Sequence, residues 1–262
     1  MHWRKVAKIM KKSLSYAAYL KSPYRSIKHS TYFEIYDDLF SCYRGKKITF
    51  VEIGVLGGGS LFMWREFFGP KARIVGVHLN PDARKWEAHG FEIHIGSQSD
   101  ENFWGEFKKK VGPIDVVLDD GGHTYDQQII TTEMLLESIV DGGILVVEDT
   151  HTSYMDRFGP KKYSFIEYTK NMIDLINKRF GGFDEQSSER RVWSVKIYES
   201  VVAFFVNKEA SYLTSEPTDN DGENDLSVDY RFGVRKTFGT RLNKRLHRYF
   251  PKIVFKSRKY FK

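Results

Sequence analysis

The chain lacks several things that 262 residues could carry. It has a single cysteine, Cys42, so no disulfide can form within it and a cysteine-rich zinc site is excluded. Such usage fits a reducing cytoplasm, and Cys42 is expected as a small, buried apolar residue rather than a redox group. No apolar run approaches the roughly 20 residues that cross a bilayer. The patch Leu14 to Leu20 behind the basic start is interrupted by serine and tyrosine, which argues against a secretory signal. Acids are missing from both ends: residues 1–33 carry eight Lys or Arg, residues 230–262 carry twelve, and neither stretch has an Asp or Glu. The whole-chain balance of +7 therefore conceals a central segment at −13. Basic ends on an acidic body suggest an anionic partner, such as a membrane surface that the protein touches peripherally, an acidic glycan or a nucleic acid. They equally suit solvated tails that aid solubility.

With 41% hydrophobic and 15% aromatic residues, there is material for one sizeable core plus appendages. From Ile48 onward, short apolar runs alternate with longer amphipathic segments, the pattern of βα units around a mainly parallel sheet. The expected strands are Ile48 to Ile53, Arg73 to His78, Phe91 to Ile95, Ile114 to Leu118 and Gly143 to Val147; as continuous apolar runs they read as buried on both faces. Helices are expected over Ser60 to Phe68, Pro81 to Ala88, Glu101 to Lys110 with Asp100 as N-cap, Asp126 to Val140, and Lys161 to Phe180. Val192 to Tyr198 and Val201 to Val206 read as a hairpin added to the edge of the sheet. The domain is therefore set at residues 46–208, behind a basic helical extension at 1–45 and ahead of an acidic linker at 209–229 and a basic amphipathic tail at 230–262. Trp3, Val6, Met10, Leu14 and Ala17 recur at helical spacing, as do Phe238, Leu242, Leu246, Tyr249 and Phe250. Either face could lie in a membrane interface or pack on the domain, and the first offers a contact for a homo-oligomer.

Three motifs fall where strands end. Val51-Glu52-Ile53-Gly54-Val55-Leu56-Gly57-Gly58-Gly59-Ser60 follows the first strand, and its glycines let the backbone pass close under a nucleotide-like ligand. The G-x-G-x-x-G spacing of an NAD site is absent, and the acid Glu52 suits the positively charged amino-acid end of S-adenosylmethionine. Asp119-Asp120-Gly121-Gly122-His123 ends the fourth strand, and Glu148-Asp149-Thr150-His151-Thr152-Ser153-Tyr154 ends the fifth. Carboxylates gathered in one cleft repel one another unless protonated or bridged by a cation, and hard oxygen ligands suit Mg²⁺. If no metal binds, one of them should have a raised pKa and act as an acid or base by itself.

Together these motifs resemble the macrocin and mycinamicin sugar O-methyltransferases, to which cephalosporin hydroxylase-like proteins are related. The resemblance runs from about Tyr43 to Lys208 and covers neither tail. It implies an α/β, Rossmann-like class I methyltransferase fold with a seven-stranded, mostly parallel sheet closed by the antiparallel hairpin. It also implies S-adenosylmethionine as methyl donor, Mg²⁺ held by Asp120, Glu148 and Asp149, and His123 as general base. Donor contacts are expected from Glu52, Gly54, Gly57, Gly59, Ser60, Gln98 and Asp119, with Gln98 in a loop that lies near the adenine. Where the family pattern reads Gly-x-Asp-x-x-Pro, this chain has Gly76-Val77-His78-Leu79-Asn80-Pro81. His78 or Asn80 would then have to serve the ribose hydroxyls.

Methyl transfer to a sugar hydroxyl needs alignment and removal of a proton, and Mg²⁺ bridging neighbouring hydroxyls predicts a vicinal diol acceptor. His151 and Tyr154 are the expected substrate contacts, with the segment from Tyr154 to Lys162 bordering the acceptor. Three rivals stand beside this reading. One is a non-catalytic S-adenosylmethionine-binding scaffold. Another is an iron-dependent hydroxylase built on His123, His151 and a carboxylate. The last is a nucleic-acid methyltransferase, against which the absence of an Asn-Pro-Pro-Tyr-type motif argues.

Overall fold

The computed structural model describes residues 12–180 and 187–222. The positions Trp3, Val6 and Met10, the last part of the acidic segment and the whole basic stretch 230–262 lie outside the described residues. The chain divides into two compact units, Met1–Ser215 and Glu216–Lys262, and every element below belongs to the first. Among the described residues no helix is long and apolar enough to cross a membrane.

Two short helices, α1 (Leu14–Leu20) and α2 (Tyr32–Phe40), precede the sheet. There follow β1 (Thr49–Ile53), α3 (Gly59–Phe68), β2 (Arg73–His78), β3 (Glu92–Ile95), α4 (Glu101–Val111), β4 (Ile114–Asp119), α5 (Tyr125–Leu136) and β5 (Ile139–Val147). The unit closes with α6 (Phe165–Asn177), β6 (Val192–Tyr198), β7 (Val201–Val206) and α7 (Lys208–Tyr212). The strand order is β3-β2-β1-β4-β5-β7-β6. Strands β1 to β5 are mutually parallel, and β7 runs antiparallel to both β5 and β6. This is the seven-stranded, mostly parallel α/β sheet with an antiparallel hairpin that the sequence predicts.

Alternation along β1 shows how the sheet feeds two cores. Phe50 joins a cluster with Tyr36, Phe40, Trp64 and Phe68 from α2 and α3. Val51 and Ile53 point the other way, into a cluster with Trp104 and Phe107 of α4, Leu135 and Leu136 of α5 and Phe165 of α6. Burying each such side chain contributes about 1.5–3 kcal/mol. The described part of the N-terminal extension thus packs on the α3 face, where Ala18, Tyr32, Phe33 and Ile35 are all buried.

Five expectations need correction. The helix expected over Asp126 to Val140 ends at Leu136, and β5 begins at Ile139 rather than Gly143. The apolar pattern continues through this stretch, but Ile139 pairs with Ile114 in a ladder whose register shifts before Val116, so sheet pairing captures residues that the helical period would claim. Pro81–His89 is a 3₁₀ helix, with the Asn80 side chain accepting from Asp82 N at 2.9 Å at its start. The last long helix starts at Phe165, not Lys161, since Ser164 supplies its N-cap by accepting from Glu167 N. Cys42 is exposed, on a 3₁₀ turn over Ser41–Tyr43 between α2 and β1. Asp100 does cap α4, accepting from Asn102 N.

Candidate active site

In open α/β sheets the crevice lies at the carboxyl ends of the strands, where the strand order reverses. Here that point falls between β1 and β4, tied by Asp120 N donating to Ile53 O at 3.0 Å. A cavity of about 350 Å³ opens there, within the range of nucleotide-sized sites. Gly54, His78, Leu79, Gly96, Gln98 and Gly121 form much of its wall, and Asp120, His123 and Asp149 stand at one side. Burial holds the His78 imidazole below its ordinary pKa, which favours a neutral ring able to donate and accept hydrogen bonds.

Of the expected donor contacts, Gly54, His78 and Gln98 line this cavity; Glu52, Gly57, Gly59, Ser60, Asn80 and Asp119 do not. Glu52, Gly59, Ser60, Asn80 and Asp119 are each engaged within the protein. Asn80 caps the 3₁₀ helix. Gly59 makes room for the N-terminal segment, since a Cβ there would come within 2.4 Å of Tyr24 O. Asp119 Oδ1 accepts from Gln98 Nε2 at 2.8 Å and Gly121 N at 3.1 Å, while its buried Oδ2 has no partner. Gln98 in turn accepts from Gly122 N at 2.8 Å, so the pair holds the loop behind β4 in shape.

Glu52 is fully buried on the α3 face, accepting from Ser60 Oγ at 2.8 Å and Trp64 Nε1 at 3.0 Å. Burial pushes its carboxyl up to about 7, against the opposing pull of the Lys28 charge and these two donors. The unfolded chain gives up this proton near the ordinary carboxyl range, so the fold binds it more tightly and loses stability as pH rises from that range through about 7. Glu52→Gln carries no charge; its amide oxygen can still accept from Trp64 Nε1 while its NH2 donates to Ser60 Oγ, a hydroxyl that can also accept. The variant is therefore expected to match wild type near pH 4 and to exceed it by up to about 3 kcal/mol at pH 8. Thermal melts across that range check the difference.

The carboxylates do converge. One oxygen from each of Asp120 and Asp149 and a ring nitrogen of His123 lie within 4.8 Å of one another, with His123 Nε2 3.5 Å from Asp149 Oδ2 and 3.9 Å from Asp120 Oδ1. Glu148 lies deeper, its side chain only 1% exposed. It accepts from Tyr36 OH at 2.6 Å, and burial pushes its carboxyl well above the ordinary range. Asp149 Oδ1 accepts from Tyr32 OH at 2.6 Å. Three residues of this region hold left-handed backbone: His123 at φ +60°, Asp149 at +55° and Ser200 at +64°. Each such non-glycine conformation costs on the order of 1 kcal/mol and persists only where the surroundings impose it. Thr152 Oγ1 lies between two of them, 3.1 Å from His123 O and 2.9 Å from Asp149 O, where its single proton can be shared by the two carbonyls. The third sits at the β6–β7 turn, where Ser200 O accepts from Thr150 N.

On the far side of Asp149 a second cavity of about 470 Å³ is lined by His29, Tyr32, His151, Tyr154, Tyr198 and Ser200, among others. Both expected substrate contacts, His151 and Tyr154, face it. His151 Nδ1 lies 2.5 Å from Ser200 Oγ, and Tyr154 is largely exposed. Sequence reasoning missed the residues that the N-terminal segment and the hairpin turn bring in: Lys28, His29, Tyr32, Tyr36 and Ser200. Tyr32 and Tyr36, four apart at the start of a helix, were the available signal, since that spacing puts both hydroxyls on one face.

Comparison with known proteins gives this geometry a context. Residues 51–150 match the family described as a methyltransferase domain (Methyltransf_24). The chain is 31% identical over 194 residues to mycinamicin VI 2''-O-methyltransferase of Micromonospora griseorubida, a match covering 66% of this chain and 47% of that protein. Against demethylmacrocin O-methyltransferase of Streptomyces fradiae it is 33% identical over 190 residues, with the same coverage. An 8-demethyl-8-α-L-rhamnosyl tetracenomycin-C 2'-O-methyltransferase of Streptomyces olivaceus matches at 29% over 69% of this chain and 51% of its own length. The chain thus spans about half the length of the curated relatives it matches. Among solved structures, the MycE methyltransferase of the mycinamycin biosynthetic pathway, in complex with Mg and SAH, superposes with a TM-score of 0.67 at 26% identity, covering 79% of this chain and 55% of that one.

Proposed function

We propose, from a chain whose residues 51–150 form a methyltransferase-family domain and whose sheet has the Rossmann-like methyltransferase topology, that it transfers a methyl group from S-adenosylmethionine to a hydroxyl of a sugar or glycoside. The observation that carries this is the juxtaposition at Asp149: the cavity at the β1–β4 switch point ends on Asp120, His123 and Asp149, and the second, Tyr- and His-lined cavity begins beside them.

The residues present fit both groups that such a reaction uses. A neutral His78 and the backbone at Gly54, Gly96 and Gly121 suit an uncharged nucleoside. Asp120, Glu148 and Asp149 form an all-oxygen set of the hardness that Mg²⁺ prefers; with them as ligands, His123 remains a base. Once bound, the donor supplies a sulfonium methyl and the divalent ion lowers the proton affinity of an acceptor hydroxyl. The chain's own part is to aim that hydroxyl and take its proton at His123 Nε2, which Asp149 Oδ2 faces at 3.5 Å and can stabilise once charged. His151, Tyr154 and Tyr198 offer the hydroxyl, ring nitrogen and aromatic faces that bind polyols. The rhamnosyl acceptor in the name of one relative supports a deoxysugar diol.

Calorimetric titration with S-adenosylhomocysteine, with and without Mg²⁺, tests this on wild type and on Asp120→Ala. Wild type is expected to bind the nucleoside and, separately, Mg²⁺; the variant is expected to lose the Mg²⁺ heat by at least about tenfold in affinity. No nucleoside binding under either condition would remove the methyltransferase reading.

A further inference from the structure

Lys28 belongs to none of the motifs, yet its side chain is 2% exposed and its ammonium group lies in the centre of the acidic cluster. Nζ is 2.6 Å from Asp120 Oδ2 and 3.3 and 3.5 Å from the two oxygens of Glu148, and it stands 5.7 Å over the ring of Tyr36. A buried ammonium survives only where carboxylates compensate it, and these two do. They are also two of the three carboxylates assigned above to the metal. Lys28 takes up Asp120 Oδ2 and both oxygens of Glu148, so a divalent ion bound by these oxygens competes with it, and a fixed positive charge at this range repels any cation that approaches.

We propose that Lys28 is a positioning residue, the resident cation of the Asp120–Glu148 pair, which a divalent ion must displace in order to bind. The proposal rests on the metal assignment in the proposed function. In the metal-free state Lys28 keeps the carboxylates together and neutralised; on binding, the ion takes over that task and Lys28 is released. The segment carrying Lys28 also touches the donor side. Ser22 Oγ donates to Gly59 O at 2.8 Å, the Tyr24 ring packs on Trp86 at 4.6 Å between centroids, and Ile27 lines the nucleoside cavity. His29 and Tyr32 line the second cavity. One stretch of backbone, from Ser22 to Tyr32, therefore spans both cavities and the cation site, so release of Lys28 changes how closely that stretch is held over the donor.

Two measurements without acceptor decide this. Mg²⁺ titrated calorimetrically into Lys28→Met is expected to bind roughly tenfold or more tightly than into wild type, while Lys28→Arg, which keeps the charge, stays within about threefold of wild type. In wild type, amide hydrogen exchange over residues 22–32 is expected to speed up when Mg²⁺ is added. Equal or weaker Mg²⁺ binding by Lys28→Met overturns the proposal, and so does exchange that stays constant or slows. Should Lys28→Met fail to fold, the wild-type exchange experiment decides alone. Absence of Mg²⁺ binding in wild type and both variants would instead remove the metal assignment itself, whereas equal binding in all three removes only the role of Lys28.

Discussion

Replacing His123 with glutamine is expected to lower the rate of methyl transfer to a rhamnosyl glycoside by about a thousandfold, within the range that a lost general base costs, while S-adenosylhomocysteine still binds. Glutamine reaches a similar distance and can hydrogen-bond to Asp149, so the walls of the cavity stay in place; what it cannot do is accept a proton from the substrate. The effect should fall on kcat more than on KM, because the interaction removed belongs to the transition state. A purely structural His123 predicts something else. Its backbone is left-handed at φ +60°, and glutamine tolerates that conformation less well than histidine, so a structural role would appear as a modest loss of stability with activity per folded molecule unchanged. A third outcome is also informative. The ring nitrogen lies close enough to Asp120 and Asp149 to complete a cation site, and loss of Mg²⁺ affinity together with activity would make His123 a ligand and leave the role of base to another group. Single-turnover rates combined with Mg²⁺ titrations separate the three.

Much of the fold was legible because parallel strands are buried on both faces and so read as largely apolar runs, from Phe50 and Val51 through Ile144 to Val147. The hairpin was equally plain in Val192 to Val206. Legibility failed where two periodicities overlap, as at Ile139 and Val140, whose apolar character fits both the end of α5 and the start of β5; only pairing with Ile114 decides. At the site, motifs at strand ends gave Asp120, His123, Glu148 and Asp149, since the topology brings those ends together. Lys28, Tyr32 and Tyr36 escaped notice because they precede the domain pattern, in an N-terminal stretch that reads as an extension. Their role depends on α2 packing on the α3 face, a tertiary fact with no local signature. The glycine-rich loop was read for a nucleotide, yet Gly59 accommodates backbone from the same N-terminal segment. Glu52, chosen for its charge, is spent on Ser60 and Trp64.

Gly54→Ala tests the geometric centre of this arrangement, and it is expected to cost about 2–5 kcal/mol of stability and to abolish S-adenosylhomocysteine binding. Gly54 has φ +97°, where an alanine is strained by about 1–2 kcal/mol. A Cβ built there would also come within 1.9 Å of Asp120 O and 2.6 Å of its carbonyl carbon, and backbone cannot yield as a flexible side chain would. Relief requires the ends of β1 and β4 to part, against the hydrogen bond Asp120 N to Ile53 O at 3.0 Å; overpacking of this kind adds about 1–3 kcal/mol. The same movement displaces Asp120 from Lys28 and His123 and narrows the wall that Gly54 and Gly121 form, so the ligand should be lost even in molecules that remain folded. Gly105→Ala is the matched control. Gly105 lies in α4 with nothing within 4 Å of an added Cβ, so alanine there should raise stability by about 0.5–1 kcal/mol through helix propensity and leave binding alone. A melting temperature lowered by about 10 °C in the first variant, beside a small rise in the second, would locate the effect at the β1–β4 crossing. A Gly54→Ala variant that melts and binds like wild type would mean that the two strand ends can separate freely, and the close approach of Asp120 to the nucleoside cavity would then not be fixed by the sheet.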